Sequence, residues 1–219
     1  RRQRQMCIRD RYMEGDEVSV ETLSIEGETH VIAITDKLTT GVPHFIEHAH
    51  KIQSNKKDSI KEEITKIAIQ ANKALSINNG PSHTEIMVTP EGPKIVEIGA
   101  RLGGDFVTSH LVKYATGIDI LEAHLKQSVK DPLNNLENNL NKGCAVRFIQ
   151  SKPGVLKKTQ IPKRILNHPQ VIEVGLTANE GEKLGEANSS TSRIGHIICQ
   201  AENSTLALKL CDELIKEIK

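Results

Sequence analysis

The chain has 219 residues, of which 37% are hydrophobic and 26% are charged, a composition typical of folded globular proteins. Its net charge of +1 and its aromatic content of 2%, with no Trp, argue against nucleic acid as a partner, because such binders show basic stripes and stacking platforms. No run approaches the roughly 18 apolar residues of a membrane helix, and no signal peptide is visible, so we expect no membrane partner.

The charge is concentrated at the start of the chain. Five of the nine Arg lie within residues 1–11, whereas residues 12–219 use Lys far more often than Arg. This mismatch predicts that residues 1–11 are foreign to the gene or disordered, and that the remainder is a C-terminal fragment of a longer protein. A basic N-terminal arm is the alternative interpretation.

The cysteines indicate the cellular compartment. Cys7, Cys144, Cys199 and Cys211 are widely spaced and form no C-x-x-C pair. The pattern is therefore not typical of a disulfide framework or a zinc ribbon. We expect a protein of the reducing cytoplasm.

The first predicted elements are a hairpin and a helix. Residues 18–25 and 29–35 alternate as strands do, and Glu26-Gly27-Glu28 forms the turn between them. Residues 36–57 are polar and predict an irregular segment. The S-x-x-E pattern of Ser59 and Glu62 predicts a capping box that opens an amphipathic helix.

A second predicted hairpin carries two acidic residues. Residues 83–89 and 93–98 read as strands, and a three-residue loop between them places Glu85 opposite Glu97 and Met87 opposite Ile95. Opposed side chains have β-carbons about 5 Å apart, so two carboxylates there need neutralisation. A hard divalent cation such as Mg²⁺ provides it. The alternatives are two surface glutamates or one carboxyl with a raised pKa.

Arg101 follows this hairpin, four residues after Glu97 and just before two glycines. A fixed guanidinium beside a metal site is suited to bidentate contacts with phosphoryl oxygens. An ordinary salt bridge to one of the glutamates is the alternative.

The rest of the chain mixes helices and strands. Helices are predicted at 106–115 and 119–129, with Gly117 between them, and a polar linker at 131–142. The predicted elements that follow are strands at 144–150, near 155, at 171–176 and at 194–199, and a final helix at 204–218.

Residues 83–105 carry a family resemblance. The run H-T-E-I-M-V-T followed by G-P-K-I-V-E-I-G-A-R-L-G-G-D resembles the metal-binding signature of the ATP-grasp superfamily, and above all that of the carboxylate–amine ligases, including bacterial L-amino-acid ligases. Residues 13–21 are similar to the family's G-x-E-x-S-V-E strand. Residues 34–37 and 43–50 resemble its next strand and substrate loop, and residues 192–198 resemble its closing strand.

The resemblance implies an α/β (α+β) fold. Residues 12–130 would form the large ATP-grasp lobe, a mostly antiparallel sheet flanked by helices. Residues 131–219 would form a small α+β C-terminal subdomain.

The resemblance also implies an activity, the joining of a small-molecule carboxylate to an amine with ATP, through an acyl phosphate. Glu85 and Glu97 would hold Mg²⁺, with Mn²⁺ as the alternative, across the ATP phosphates, and Lys37 would approach the γ-phosphate. Arg101 would stabilise the transferring phosphoryl group and the tetrahedral intermediate. The residues implied to contact substrates are Glu47, His50, Arg101, Gly103 and Gly104. A homodimer stays open.

Two features keep other interpretations open. Gly99 stands where many ATP-grasp enzymes have Asn, which leaves open a missing metal ligand and a non-catalytic nucleotide-binding module. Residues 44–48 read H-x-x-E-H, the inverted zinc-peptidase pattern, which requires a helix that carries both His on one face.

Overall fold

One antiparallel sheet runs through the structure, a computed structural model that describes residues 12–133, 135–157 and 160–218. Within these residues the sheet has eight strands. They are β1 (Asp16–Ile25), β2 (Glu28–Thr39), β3 (Glu47–Ile52), β4 (Gly80–Thr89), β5 (Gly92–Gly99), β6 (Gly143–Gln150), β8 (Val171–Leu176) and β10 (Arg193–Ala201). Their order is β5-β4-β1-β2-β3-β6-β10-β8. A two-stranded ribbon of β7 (Gly154–Val155) and β9 (Lys183–Leu184) stands apart.

Helices cover both faces of the sheet. A π-helical turn, Val107–Leu111, runs directly into α2. The α-helices are α1 (Asp58–Ala74), α2 (Val112–Thr116), α3 (Ile120–Val129), α4 (Lys163–Leu166) and α5 (Ser204–Leu214). Among the described residues, no helix has the length and apolar character needed to cross a membrane.

The core is divided between the two faces. On one face, α1 packs on Val18, Val20 and Ile86, and α5 packs on the far end of the sheet around Ala145 and Ile197. On the other face, the π-helical turn, α2 and α3 cover the middle strands. Part of this second face, beside β1 and β4, carries polar side chains instead, and the candidate site lies there.

Much of the predicted element order is confirmed. The sheet is antiparallel with flanking helices, and the strand at 171–176 has its predicted bounds. Other predictions are wrong. The segment 36–57 is irregular only in part, since β2 continues to Thr39 and β3 spans Glu47–Ile52. Ser59 caps nothing, because α1 begins at Asp58 and its N-cap residue makes no side-chain hydrogen bond.

For the hairpin of β4 and β5, the predicted pairing of Glu85 with Glu97 is confirmed and the predicted length of the turn is wrong. The turn holds two residues, since Thr89 pairs with Gly92, and Met87 therefore faces Lys94 and not Ile95. A β-bulge beside Glu85 adds one residue to β5 and cancels the shift. Glu85 consequently lies opposite Glu97, as predicted.

The C-terminal strands continue the same sheet. β6 pairs with β3, and β10 and β8 follow beyond it. The division of the chain at residue 130 stays a prediction. The arginine-rich segment 1–11 lies outside the described residues, so the prediction that it is foreign stays one as well.

Candidate functional site

The side chains of the site project from one face of the sheet, because directly paired residues on antiparallel strands share a face. Ser19 on β1 lies opposite Glu85 on β4, and Glu85 lies opposite Glu97 on β5. Two residues along β1, Glu21 lies opposite His83. The register therefore lines up three carboxylates and an imidazole across neighbouring strands.

Lys37, on β2, lies at the centre of a cluster of carboxylates. Its Nζ donates to Glu17 Oε1 at 2.5 Å and to Glu85 Oε1 at 2.8 Å, and it lies 3.0 Å from Glu47 Oε1. The side chain is 6% exposed. Burial alone would lower the pKa of Lys37, but the bonds to Glu17 and Glu85 outweigh it and hold that pKa above its usual range. Lys37 is therefore a fixed cation.

A buried ion pair supports Glu85 from behind. Glu21 is fully buried, and its Oε1 lies 2.6 Å from His83 Nδ1, while His83 Nε2 lies 3.5 Å from Glu85 Oε1. Burial opposes protonation, but the hydrogen bonds with Glu21 and Glu85 raise the pKa of His83 to about 9. The bond from His83 and then that from Lys37 lower the pKa of Glu85 to about 2 against the effect of burial. Glu85 is therefore ionised at neutral pH.

The glycine pair after Arg101 packs against this ion pair. A β-carbon at Gly103 would lie 2.7 Å from Glu21 Oε2 and 2.8 Å from His83 Nδ1, closer than real β-carbons approach. A β-carbon at Gly104 would meet nothing within 4 Å. Close packing against Glu21 and His83 thus requires glycine at position 103. At position 104 no side chain lies close, so there is open space beside the cavity.

A second group of charges faces the first across the site. Arg193, at the start of β10, donates to Asp105 Oδ2 at 2.7 Å and to Glu47 Oε2 at 3.2 Å. The buried His50 has its Nε2 3.4 Å from Asp105 Oδ2. Burial alone would raise the pKa of Asp105. The hydrogen bonds with His50 and Arg193 outweigh burial and hold that pKa well below its usual range. Ligand atoms of Glu47, His50 and Asp105 lie within 4.8 Å of one another, a spacing that would also suit a metal ion.

The backbone is strained where it delivers Asp105. Asp105 has φ 52° and Phe106 has φ 65°, both in the left-handed region that non-glycine residues avoid, and the π-helical turn follows at once. Strain and π-helical turns of this kind concentrate at functional sites. The geometry thus marks Asp105 as a site residue, whereas in the sequence it is only the last residue of the run 83–105 that resembles the family signature and carries no predicted role.

Arg101 and Glu97 lie at the edge of the site and are exposed. Arg101 Nη1 donates to the neighbouring carbonyl of Leu102 at 3.1 Å, which leaves most of its guanidinium donors facing solvent. A β-carbon at Gly99 would lie 3.2 Å from Arg101 Cγ. Glycine at position 99 therefore leaves room for the Arg101 side chain in the conformation that it adopts here.

These groups line a cavity of about 200 Å³. Its walls include Ser19, Lys37, Glu47, His50, His83, Glu85, Arg101, Gly104 and Asp105. A second, larger cavity of about 680 Å³ shares Lys37 and Glu17 with the cluster. Apolar side chains make up much of its lining, among them Met13, Leu38, Phe45, Met87 and Val96. A charged cavity and a mainly apolar one thus meet at Lys37.

The structure brings together most of the residues that the sequence singled out. Lys37, Glu47, His50, Arg101 and Gly104 line the smaller cavity with Glu85. Gly103 lies behind its wall, and Glu97 is placed by its pairing with Glu85. The roles given to these residues stay predictions.

Sequence reasoning missed Glu17, Glu21, His83, Asp105 and Arg193. Glu21 had a visible signal, since it is an acidic residue within the alternating strand 18–25. Arg193 had another, since residues 12–219 contain few Arg.

The zinc-peptidase interpretation of residues 44–48 is wrong. Glu47 and His48 lie on β3, and His44 lies in the turn before it. Residues 44–48 are therefore not helical, so His44 and His48 cannot lie on the one helical face that this chemistry requires.

Two family models match the chain. The model described as "ATP-grasp domain" matches residues 2–109, and the model described as "L-amino acid ligase C-terminal domain 2" matches residues 147–219. The first match includes every residue that lines the smaller cavity, and the second includes Arg193, which donates to two of those residues, Glu47 and Asp105.

Curated relatives and a solved structure agree with these matches. Dapdiamide A synthase from Enterobacter agglomerans is 23% identical over 93% of this chain and 49% of its own length. Alanine–anticapsin ligase from Bacillus subtilis (strain 168) is 32% identical over 49% of this chain and 22% of its own length. The crystal structure of L-amino acid ligase from Bacillus licheniformis superposes with a TM-score of 0.85 at 26% identity, over 94% of this chain and 54% of that one. The chain thus spans about half the length of dapdiamide A synthase and of the L-amino acid ligase, and less of the length of alanine–anticapsin ligase.

Proposed function

The chain belongs to the ATP-grasp superfamily, and from that premise we propose that its protein is an ADP-forming carboxylate–amine ligase of small molecules. The observation that carries the proposal is the meeting of two cavities at Lys37. One is lined largely by apolar side chains and suits a purine base. The other gathers ionised carboxylates with a free guanidinium and suits metal-bound phosphates and a second substrate.

The carboxylates fit a divalent cation. The four carboxylates of Glu17, Glu21, Glu47 and Glu85 outnumber the three cations beside them, which are Lys37, protonated His83 and Arg193. Glu97 adds an exposed carboxylate opposite Glu85. Hard oxygen donors of this kind suit Mg²⁺, and Mn²⁺ accepts the same donors. We assign the metal to Glu85 and Glu97, because the two lie opposite each other and the contacts of Glu85 with Lys37 and His83 both fall on Oε1, whereas Arg193 donates to both Glu47 and Asp105.

Bound ATP supplies the phosphoryl group that activates a carboxylate as an acyl phosphate, and the bound metal ion offsets charge on the phosphates. Arg101 offers free guanidinium donors at the cavity edge, where they stabilise the transferring phosphoryl group and the oxyanion of the tetrahedral intermediate. Lys37, already protonated and fixed, provides a positive charge toward the γ-phosphate. The first step thus rests on one charge that the fold holds in place, Lys37, and on one that it leaves exposed for a ligand, Arg101.

The residues that contact the substrate lie on the wall opposite Glu85, where Glu47, His50 and Asp105 line the cavity. Glu47 and His50 come from β3, and the open surface at Gly104 lets a small molecule approach the carboxylates. Once the carboxylate is activated, an amine attacks the acyl carbon and inorganic phosphate leaves. A carboxylate wall suits the ammonium group of an amino acid, so we propose amino acids as the substrate class.

The test is ADP formation by the protein as its gene encodes it. We expect release of ADP and phosphate only when Mg²⁺ and a productive pair of L-amino acids are both present, in a screen of the proteinogenic pairs. Nucleotide binding without ADP formation under any pair would overturn the ligase proposal and favour a non-catalytic nucleotide-binding module.

A second measurement tests the metal assignment without relying on turnover. Glu85→Gln should weaken Mn²⁺ binding, followed by electron paramagnetic resonance, by at least tenfold, because a metal-facing carboxylate is lost. Glu91→Gln is the matched control, since Glu91 lies in the exposed turn of the same hairpin and pairs with Lys94. Equal Mn²⁺ affinity in both variants would contradict the assignment.

A further inference from the structure

Arg193 reaches the site from the C-terminal part of the chain. It begins β10, the strand next to β6, and a β-bulge between Arg193 and Gly195 interrupts the pairing with β6 at that point. Bulges redirect side chains and are frequent beside active sites. The bulge at Arg193 thus lies where this side chain reaches Glu47 and Asp105, two carboxylates of the cavity wall.

The surroundings of Arg193 leave it little freedom. Its guanidinium lies over the ring of Phe148, 3.7 Å from the centroid, and the side chain is 11% exposed. Nη1 donates to Asp105 Oδ2, and Nη2 donates to the carbonyl oxygen and to Oε2 of Glu47. The planar fork therefore bonds two acceptor groups that stand 58 positions apart in sequence.

We propose that Arg193 is a positioning residue, which holds Glu47 and Asp105 side by side as the wall that receives the amino-acid substrate. The inference rests on the proposed function. Ligand atoms of Glu47 and Asp105 lie within 4.8 Å of each other, so the two carboxylates repel unless a cation lies between them. Arg193 neutralises both and fixes their directions with separate donors.

Each of the two carboxylates also has a second partner, Lys37 for Glu47 and His50 for Asp105. Glu47 uses Oε2 for Arg193 and Oε1 for Lys37, and Asp105 uses Oδ2 for both Arg193 and His50. Losing the guanidinium fork would remove the group that bonds both carboxylates, and would leave Glu47 with Lys37 and Asp105 with His50. Lysine keeps the positive charge but has no fork, so it cannot hold two carboxylates in fixed directions.

The experiment compares Arg193→Lys with Arg164→Lys in the gene-encoded protein. Arg164 also lies in the C-terminal part, where its guanidinium pairs with Glu217 and is largely exposed, away from the cavity. The substrates are the pair of L-amino acids that gives the fastest ADP release. We expect kcat/KM for the amino acids to fall by on the order of 10²-fold in Arg193→Lys, the scale of a small misplacement of substrate. KM for ATP and the thermal melt should stay close to those of Arg164→Lys.

A double-mutant cycle with Asp105→Asn separates positioning from a general effect. If Arg193 acts through Asp105, the two substitutions together should reduce kcat/KM by clearly less than the product of their separate effects.

Each other outcome counts against the inference. Turnover of Arg193→Lys within twofold of wild type would overturn it while leaving the proposed function intact. A lower melting temperature with equal losses toward ATP and amino acids would assign Arg193 a structural role and overturn it too. Absence of turnover in the wild-type protein would overturn the proposed function and this inference with it.

Discussion

Two groups of charges lie at the smaller cavity and differ in burial. We call the buried groups at and behind its wall, Glu21, Lys37 and His83, the floor, and the exposed groups at its edge, Glu97 and Arg101, the rim. The floor groups are buried and paired with one another or with Glu85. The rim groups are exposed, and Arg101 bonds only the adjacent carbonyl among the hydrogen bonds that the described residues show. Both regions stand on neighbouring strands of one sheet, and both are highly charged.

The comparison separates charges that stabilise the fold from charges that are available to a ligand. Buried charges are tolerated when they are paired and hydrogen-bonded, so the floor belongs to the stability of the fold as well as to the site. Exposed charges contribute little to stability, so the rim can be altered without harm to the fold. Substitutions in the two regions should therefore separate stability from activity.

The largest expected effect is the loss of the buried ion pair. Glu21→Ala removes the closer of the two carboxylates that pair with His83, and removing one member of a buried pair destabilises a protein by about 3–5 kcal/mol. Urea denaturation followed by circular dichroism measures the loss. Glu91→Ala removes an exposed carboxylate of the β4–β5 turn and should change the free energy of unfolding by less than about 1 kcal/mol. Equal stability of the two variants would contradict the buried-pair account.

At the rim, Arg101→Lys should act on turnover alone. It keeps the charge and loses the planar fork, and removal of one preorganised donor lowers kcat by on the order of 10²–10³. Amine-dependent phosphate release is the measurement, and ATP binding should weaken only modestly. The thermal melt should stay that of wild type. Near-wild-type turnover would show that Arg101 takes no part in the reaction. A large fall in the melting temperature would show that Arg101 stabilises the fold, as the floor residues do.

A smaller effect distinguishes the two neighbouring glycines. Gly103→Ala forces a β-carbon against Glu21 and His83, and overpacking of this kind costs about 1–3 kcal/mol. Gly104→Ala meets open space and should leave the free energy of unfolding nearly unchanged. Thermal melts of the two variants provide the comparison. A larger loss in Gly104→Ala would show that the loop packs differently against the floor.

Sequence reasoning reached the rim more easily than the floor. Glu85 and Glu97 could be paired from hairpin arithmetic, although the turn is one residue shorter than predicted, because the bulge in β5 restores the register. Arg101 followed from its place after Glu97. These residues lie within one short stretch of chain, where spacing alone fixes geometry.

The floor depends on contacts that spacing does not reveal. Glu21 and His83 are 62 positions apart and meet only because β1 and β4 are neighbours in the sheet. Arg193 meets Glu47 across 146 positions and through a bulge that no sequence pattern predicts. β3, which delivers Glu47 and His50, was itself predicted as irregular, because its six residues are mostly charged or His.

The most direct test of the proposed chemistry follows oxygen from the substrate carboxylate. If the carboxylate is activated as an acyl phosphate, the amine displaces phosphate that keeps one carboxylate oxygen. Turnover with an amino acid labelled with ¹⁸O in its carboxylate should therefore yield inorganic phosphate with one ¹⁸O atom, as measured by the isotope shift in ³¹P NMR. ADP formation with unlabelled phosphate would contradict the acyl phosphate, and with it the reaction assigned to Lys37, Glu85 and Arg101.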